Sequence, residues 1–322
     1  MSRKSRHAAA AGRDDFSHER PHDPRHDSRH EEPAAPRPAS MRTQLRLHDV
    51  MLKKSLGQNF LDDPNLAQKI VRAADVQPGQ KVLEIGPGSG ALTDKLLAAG
   101  ARVLAVELDR RLIPLLNANF AADPRLQVVH GDILRMPRET LERFADGDKV
   151  KVVANLPYYN ASQILFRLAE WRGMLSMAVL TLQKELVERM SASPGVKDYG
   201  ILAVRMQAVA DVRALFMLPS SVFFPQPRVD SQAVRLDYSL GRVPEDLDEK
   251  AFAKCVKAAF AARRKMLSNT LGNLYGAENA RRAMTECDID PTLRAERLTV
   301  ENYFCLTRKL GPQKHERRAA AD

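Results

Sequence analysis

The chain has 322 residues, 44% of them apolar and 28% charged, and Lys plus Arg exceed Asp plus Glu to give a formal net charge of +10. That length suits one large domain with a smaller companion, and the basic excess points to a polyanionic partner while also fitting any solvated basic protein. No apolar run reaches the ~20 residues of a bilayer span, no apolar leader opens the chain, and the widely spaced Cys255, Cys287 and Cys305 lack the pattern of a disulfide framework or zinc site, so a reducing, cytoplasmic setting without membrane or metal is expected.

Residues 1–50 hold Pro21, Pro24, Pro33, Pro36 and Pro38 and six of the eight histidines. Large apolar residues are nearly absent before Met41, so this segment cannot offset its chain entropy and is expected to be a disordered tail with no assigned role. His7, His18, His22, His26 and His30 are too loosely spaced to favour a metal tract.

From Lys81 strands and helices alternate. Strands are expected at Lys81–Ile85, Arg102–Val106, Leu126–Val129, Val150–Ala154 and Met177–Leu182. Helices are expected at Ala91–Ala99, Arg110–Phe120 and Ser162–Trp171. Near-continuous Val/Leu/Ile strands separated by helices indicate a parallel sheet covered on both faces, an α/β doubly wound fold with ligands at the strand carboxyl ends. After Leu182 the alternation loosens. Helices are expected at Lys184–Ala192 and Gly200–Ala210, and strand-like runs at Val212–Leu218 and Ala233–Tyr238. From about Asp248 the chain reads as helical. The expected division is a tail (1–50), an α/β domain (51–244) and a small all-α domain (245–322).

The run Glu84-Ile85-Gly86-Pro87-Gly88-Ser89-Gly90 closes the first strand and opens a helix, and Glu107 ends the second strand, where an acid can accept both ribose hydroxyls of a nucleoside. Two cofactor classes fit. A pyrophosphate seeks donors and avoids carboxylates, yet Glu84 stands two residues before Gly86 and Pro87 removes an N–H. A cationic methionine tolerates the acid, so S-adenosyl-L-methionine is favoured over a dinucleotide. Asp132, at the third strand end, suits an adenine amino group or a plain turn.

Asn155-Leu156-Pro157-Tyr158 ends the fourth strand on the same rim. An adenine N6 lone pair is delocalised into its ring. The Asn155 oxygen and a carbonyl at Leu156 or Pro157 can accept the two N6 hydrogens, which localises that pair and holds the nitrogen in line with a methyl donor. Tyr158 offers an aromatic face for an unstacked base. Taken alone, the tetrapeptide reads equally as a capped strand-to-helix turn.

With these residues in place, the chain resembles the ribosomal RNA adenine dimethyltransferases from about Lys53 to Leu310. The landmarks are Lys54-Ser55-Leu56-Gly57-Gln58-Asn59-Phe60-Leu61, Glu84 to Gly90, Glu107-Leu108-Asp109, Gly131-Asp132, Asn155 to Tyr158, Leu182 to Glu185, Phe223 to Ser231 and Arg263-Arg264-Lys265. The resemblance implies a Rossmann-like class I methyltransferase sheet followed by a C-terminal helical domain. It implies N6,N6-dimethylation of two adjacent adenosines near the 3′ end of 16S rRNA within the small (30S) subunit, by a monomer.

It further implies that Asn59, Leu61, Gly86, Glu107, Asp132 and Asn155 line the cofactor site, with Gln58–Leu61 closing over it. On sequence alone that segment looks like a helix entry. Phe223 would sandwich the target base with Tyr158, although composition suits a core position equally well. Arg263, Arg264 and Lys265 would contact RNA phosphates. One departure stands out: many members carry Asn after the Pro-Tyr pair, where this chain has Tyr159 and then Asn160. Two related readings remain, an antibiotic-resistance type 23S rRNA adenine methyltransferase and a ribosome assembly factor with secondary methylation.

Overall fold

The computed structural model describes residues 58–120, 122–240 and 242–311. The tail at 1–50 and the Lys54–Gly57 landmark lie outside the described residues.

A seven-stranded sheet organises the chain. Its strands are β2 (Lys81–Ile85), β3 (Arg102–Glu107), β4 (Leu126–His130), β5 (Val150–Asn155), β6 (Leu175–Gln183), β7 (Asp211–Leu218) and β9 (Ser231–Asp237), in the order β4-β3-β2-β5-β6-β9-β7. The first five are parallel. β9 runs antiparallel to both β6 and β7, so the two strand-like runs after Leu182 extend the same sheet and make it mixed. The Rossmann-like expectation holds for the parallel part.

Side-chain alternation on the central strands feeds two cores. Leu83, Ile85, Leu104, Val106, Val152 and Ala154 face one cluster, and Val82, Val103, Ala105 and Val153 face the other. Both faces are therefore covered by helices, which explains why these strands read as unbroken apolar runs. The second cluster takes Ala67, Ile70 and Val71 from α1 (Pro64–Ala73), and Leu92, Leu96 and Leu97 from α2 (Ala91–Ala98). Asp63 starts α1 by accepting the Asn65 and Leu66 N–H groups at 2.9 and 3.0 Å, with Pro64 at the first helical position.

The first cluster takes α4 (Arg138–Ala145), α5 (Ala161–Glu170) and α7 (Ile201–Val209). Two further helices, α3 (Ile113–Phe120) and α6 (Lys184–Ser191), complete this region. The C-terminal helices are α8 (Glu249–Ala259), α9 (Leu267–Tyr275), α10 (Ala277–Glu286) and α11 (Val300–Leu310). Their buried residues, among them Phe252, Leu271, Met284 and Tyr303, belong to the same cluster as Leu83 and Leu165. α7 bridges the two parts by packing on α5, α8 and α11.

Two expectations are corrected. Cys287 and Cys305 form a disulfide, because α10 and α11 pack side by side and bring the two Cα atoms to 5.9 Å. The cysteine argument for a reducing compartment goes with that correction. Cys255 is free and buried, and burial pushes its thiol up to about 12. Gln58–Leu61 is no helix entry: Phe60–Leu61 is a short strand, β1, antiparallel to β8 (Phe223–Phe224). Among the described residues no helix is long and apolar enough to cross a membrane.

Candidate active site

The carboxyl ends of β2, β3, β4 and β5 open into one cavity, with about 750 Å³ of empty space including its open mouth. Asn59, Gly86, Glu107, Asp132, Asn155, Leu156, Pro157 and Tyr158 all line it. These residues come from five separate stretches of sequence; four meet because parallel strands end on one rim, and Asn59 reaches it from the segment before β1.

The glycine loop shapes the near wall. Gly86 (φ +66) presents bare backbone to open space. At Gly88 (φ +61) a Cβ would stand 2.6 Å from the Phe60 ring, so the close approach of β1 to the loop requires glycine. Glu107 is 5% exposed, and its carboxylate accepts the Gly88 N–H at 3.0 Å and the Asp109 N–H at 2.8 Å. Burial raises its pKa, and the two backbone donors act against that rise. Each oxygen keeps a lone pair for a further donor, which suits the two hydroxyls of a ribose. Asp132 accepts the Leu134 N–H at 2.9 Å, so it makes the expected turn and lines the cavity as well. Bare glycine backbone, a buried acceptor carboxylate and apolar walls at Ile85, Val106 and Ile133 fit an adenosyl cofactor.

Residues 58–62 form a strap over this cavity. The Gln58 side chain donates to Asp109 at 2.9 Å, and the Asp62 N–H donates to the Val222 carbonyl at 2.8 Å. Asp109 is a firm anchor, because the Arg111 guanidinium above all, with Gln58 adding to it, holds its carboxyl down at about 2. In the middle of the strap, the Asn155 Nδ2 donates to the Asn59 carbonyl at 2.8 Å. That bond occupies the donor end of the carboxamide and leaves Oδ1 open as an acceptor. Beyond it, the Tyr158 hydroxyl meets Ser231 Oγ at 2.6 Å, at the first residue of β9. Burial raises the Tyr158 phenol, so it stays neutral.

Five expected residues lie off this wall. Leu61 and Phe223 are 4% exposed and pack in the sheet's second cluster, while their neighbours Phe60 and Phe224 turn to the other side of the ribbon. Alternation within the two-residue strands produces that split. Phe223 therefore does not face Tyr158 across the cavity. Arg264 and Lys265 are exposed and line a separate groove with Ser268, Asn269, Asn273 and Arg281. The exposed Arg263 guanidinium donates to the Lys197 carbonyl.

Sequence reasoning placed Gln58 in the closing segment but missed its partner, the acid that it meets 51 positions later. It also missed Ile133, Ile164 and Asn160 on the wall. Tyr159 lines the cavity at 54% exposure. Burial first, and then the Asp132 charge, raises its phenol.

A family model described as ribosomal RNA adenine dimethylase matches residues 50–310. The chain is 41% identical over 282 residues to the ribosomal RNA small subunit methyltransferase A of Ligilactobacillus salivarius, covering 85% of this chain and 95% of that protein. It is 41% identical over 271 residues to the protein of the same name from Geobacter metallireducens, covering 83% and 98%. Among solved structures, a dimethyladenosine transferase from Plasmodium falciparum aligns with a TM-score of 0.64 at 25% identity, covering 77% of this chain and 95% of that one. The 23S rRNA methyltransferase ErmE shares the fold, with a TM-score of 0.59 at 24% identity over 78% and 99%.

Proposed function

The chain belongs to the ribosomal RNA adenine dimethylases, and from that premise we propose that the cavity beneath the 58–62 strap is where methyl groups pass from S-adenosyl-L-methionine to adenine N6 in rRNA. The target is taken to be two adjacent adenosines near the 3′ end of 16S rRNA, in the small (30S) subunit. The protein acts as a monomer in the cytoplasm, where that subunit is found. Residues 51–244 carry the chemistry and 245–322 grip the subunit.

The observation that carries this reading is the divided carboxamide of Asn155. Its donor end is tied to Asn59 and its acceptor end is open to the cavity. Asn155 Oδ1 and a main-chain carbonyl of Leu156 or Pro157 accept the N6 hydrogens, so the lone pair is localised on nitrogen. When bound, the cofactor supplies an electrophilic methyl group on a sulfonium. Glu107 holds its ribose and Asp132 its adenine amino group, while Asn59, Gly86 and the strap with Leu61 at its back enclose it. No strong base is needed, because the proton leaves N6 once the nitrogen is alkylated. Tyr158 is the aromatic platform for the base, and Phe223 reaches it only if the β1–β8 ribbon shifts on substrate binding. Arg263, Arg264 and Lys265 contact phosphates without reading sequence.

The test is mass spectrometry of adenosines after incubating free subunits with labelled cofactor. Dimethyladenosine in 16S rRNA is expected with the native chain, and none with Asn155→Ala although that variant still binds subunits. Label confined to 23S rRNA would transfer the assignment to the resistance-type enzymes. Loss of binding together with activity in Asn155→Ala would remove support for a separable assembly role.

A further inference from the structure

Asn160 is the N-cap residue of α5, and its carboxamide does not cap the helix. Its main-chain carbonyl accepts the Gln163 and Ile164 N–H groups at 2.9 and 3.1 Å, so the backbone starts the helix while the side chain takes no part. The residue is 8% exposed, and its Oδ1 is buried without a hydrogen-bond partner among the described residues. Buried polar groups in folded proteins are paired almost without exception, so an idle carboxamide marks either a defect or a missing partner. Asn160 lines the cavity, so a rotation of its carboxamide brings Oδ1 to a partner bound there.

The surroundings say which part of the cavity it serves. Ile164, one turn along α5, lines the same wall, so this helix face looks into the cavity. Arg167, one turn further, donates to the Met136 carbonyl at 2.9 Å, which binds α5 to the loop leaving β4. Asp132 and Ile133 belong to that loop and also line the cavity. A carboxamide offers a donor pair and an acceptor in one plane, which is the complement of an adenine edge with its amino group and ring nitrogen.

We propose that Asn160 is a further cofactor-binding residue whose carboxamide hydrogen-bonds the adenine of S-adenosyl-L-methionine on the Asp132 side of the cavity. The inference deepens the functional reading and rests on it. The target base is also an adenine, so the experiment must separate the two sources.

Asn160→Leu keeps the shape and removes the polar atoms. Titration calorimetry without RNA measures the Kd of S-adenosylhomocysteine and of S-inosylhomocysteine, whose base lacks the amino group. Thermal unfolding of the free protein is measured alongside, with Asn160→Ser as the second variant should Asn160→Leu not fold. The expected result is a roughly tenfold or greater loss of S-adenosylhomocysteine affinity, a reduced preference over the inosyl analogue, and an unfolding midpoint equal to or above that of the native chain. The raised midpoint with weakened binding is what a merely structural asparagine would not give.

Unchanged Kd values for both analogues overturn the proposal. A raised KM for subunits with an unchanged Kd also overturns it, by assigning Asn160 to the target base. If the native chain itself fails to bind S-adenosylhomocysteine, it is the reading of the cavity that falls.

Discussion

Glu84 carries a sharp pH prediction. It is 1% exposed on β2, Thr93 Oγ1 donates to its Oε2 at 2.7 Å, and Oε1 has no partner among the described residues. Burial, reinforced by the nearby Glu107 charge and opposed by Thr93, raises its pKa from 4.5 to about 8. Between those values the unfolded chain has lost this proton and the folded chain has kept it. Stability must therefore fall as pH rises from about 4.5, by about 1.4 kcal/mol per unit, and level off above about 8, for a total on the order of 5 kcal/mol. Glu84→Gln preserves the acceptor for Thr93 and is neutral throughout. Urea denaturation of both proteins between pH 5.5 and 8.5, without cofactor, gives the difference directly. The variant should gain on the native chain as pH rises and be more stable by several kcal/mol at pH 8. A difference that does not change with pH would show that the carboxyl ionises in the fold as it does in water, and the reasoning would fail.

Gly88→Ala forces a Cβ to 2.6 Å from the Phe60 ring at a left-handed φ, so the strap must lift; S-adenosylhomocysteine affinity should fall about tenfold, and an unchanged calorimetric Kd would refute the strap's role. Arg264→Ala with Lys265→Ala should reduce the salt dependence of subunit binding by about one to two units of slope without altering which adenosines are methylated. An identical slope would take these cations off the RNA. Asn155→Asp replaces the donor to the Asn59 carbonyl with a carboxylate that repels it. Hydrogen exchange at residues 59–61 should speed up while methyl transfer is lost, and native-like protection there would count against the tie.

The parallel strands were legible because burial on both faces leaves Glu84 as the one polar position in Val82–Ile85 and none in Val103–Val106. The rim residues Gly86, Glu107 and Asn155 were legible for a related reason, since each directly follows or ends such a run, and Asp132 stands two residues beyond the next strand. Other features leave little local trace. α4 buries only Leu141 and Ala145, too few to stand out as a periodic stripe. β1 and β8 are two residues each, and their pairing joins positions more than 160 apart, which no window along the chain contains. The burial of Phe223 follows from that pairing, because the ribbon's register decides which aromatic faces inward. The disulfide likewise depends on helix packing and not on cysteine spacing.

The same distinction bears on the reactive turn itself. Asn155 to Tyr158 is clamped at both ends by tertiary bonds, to Asn59 across 96 positions and to Ser231 across 73. Ser231 is in turn fixed by its pairing with Gln183 at the end of β6. Methyl transfer to a weak nucleophile depends on holding one nitrogen in line, where displacements of an ångström matter. A free Asn-Leu-Pro-Tyr turn has no reason to hold that line, since a carboxamide can rotate either end towards the base. Donation to Asn59 removes that freedom by spending the Nδ2 group on the strap, so the end left to the base is the acceptor. The strap over the cavity and the Asn155 carboxamide are thus joined by one hydrogen bond, so in the proposed mechanism the segment that encloses the cofactor also orients the group that accepts the N6 hydrogens.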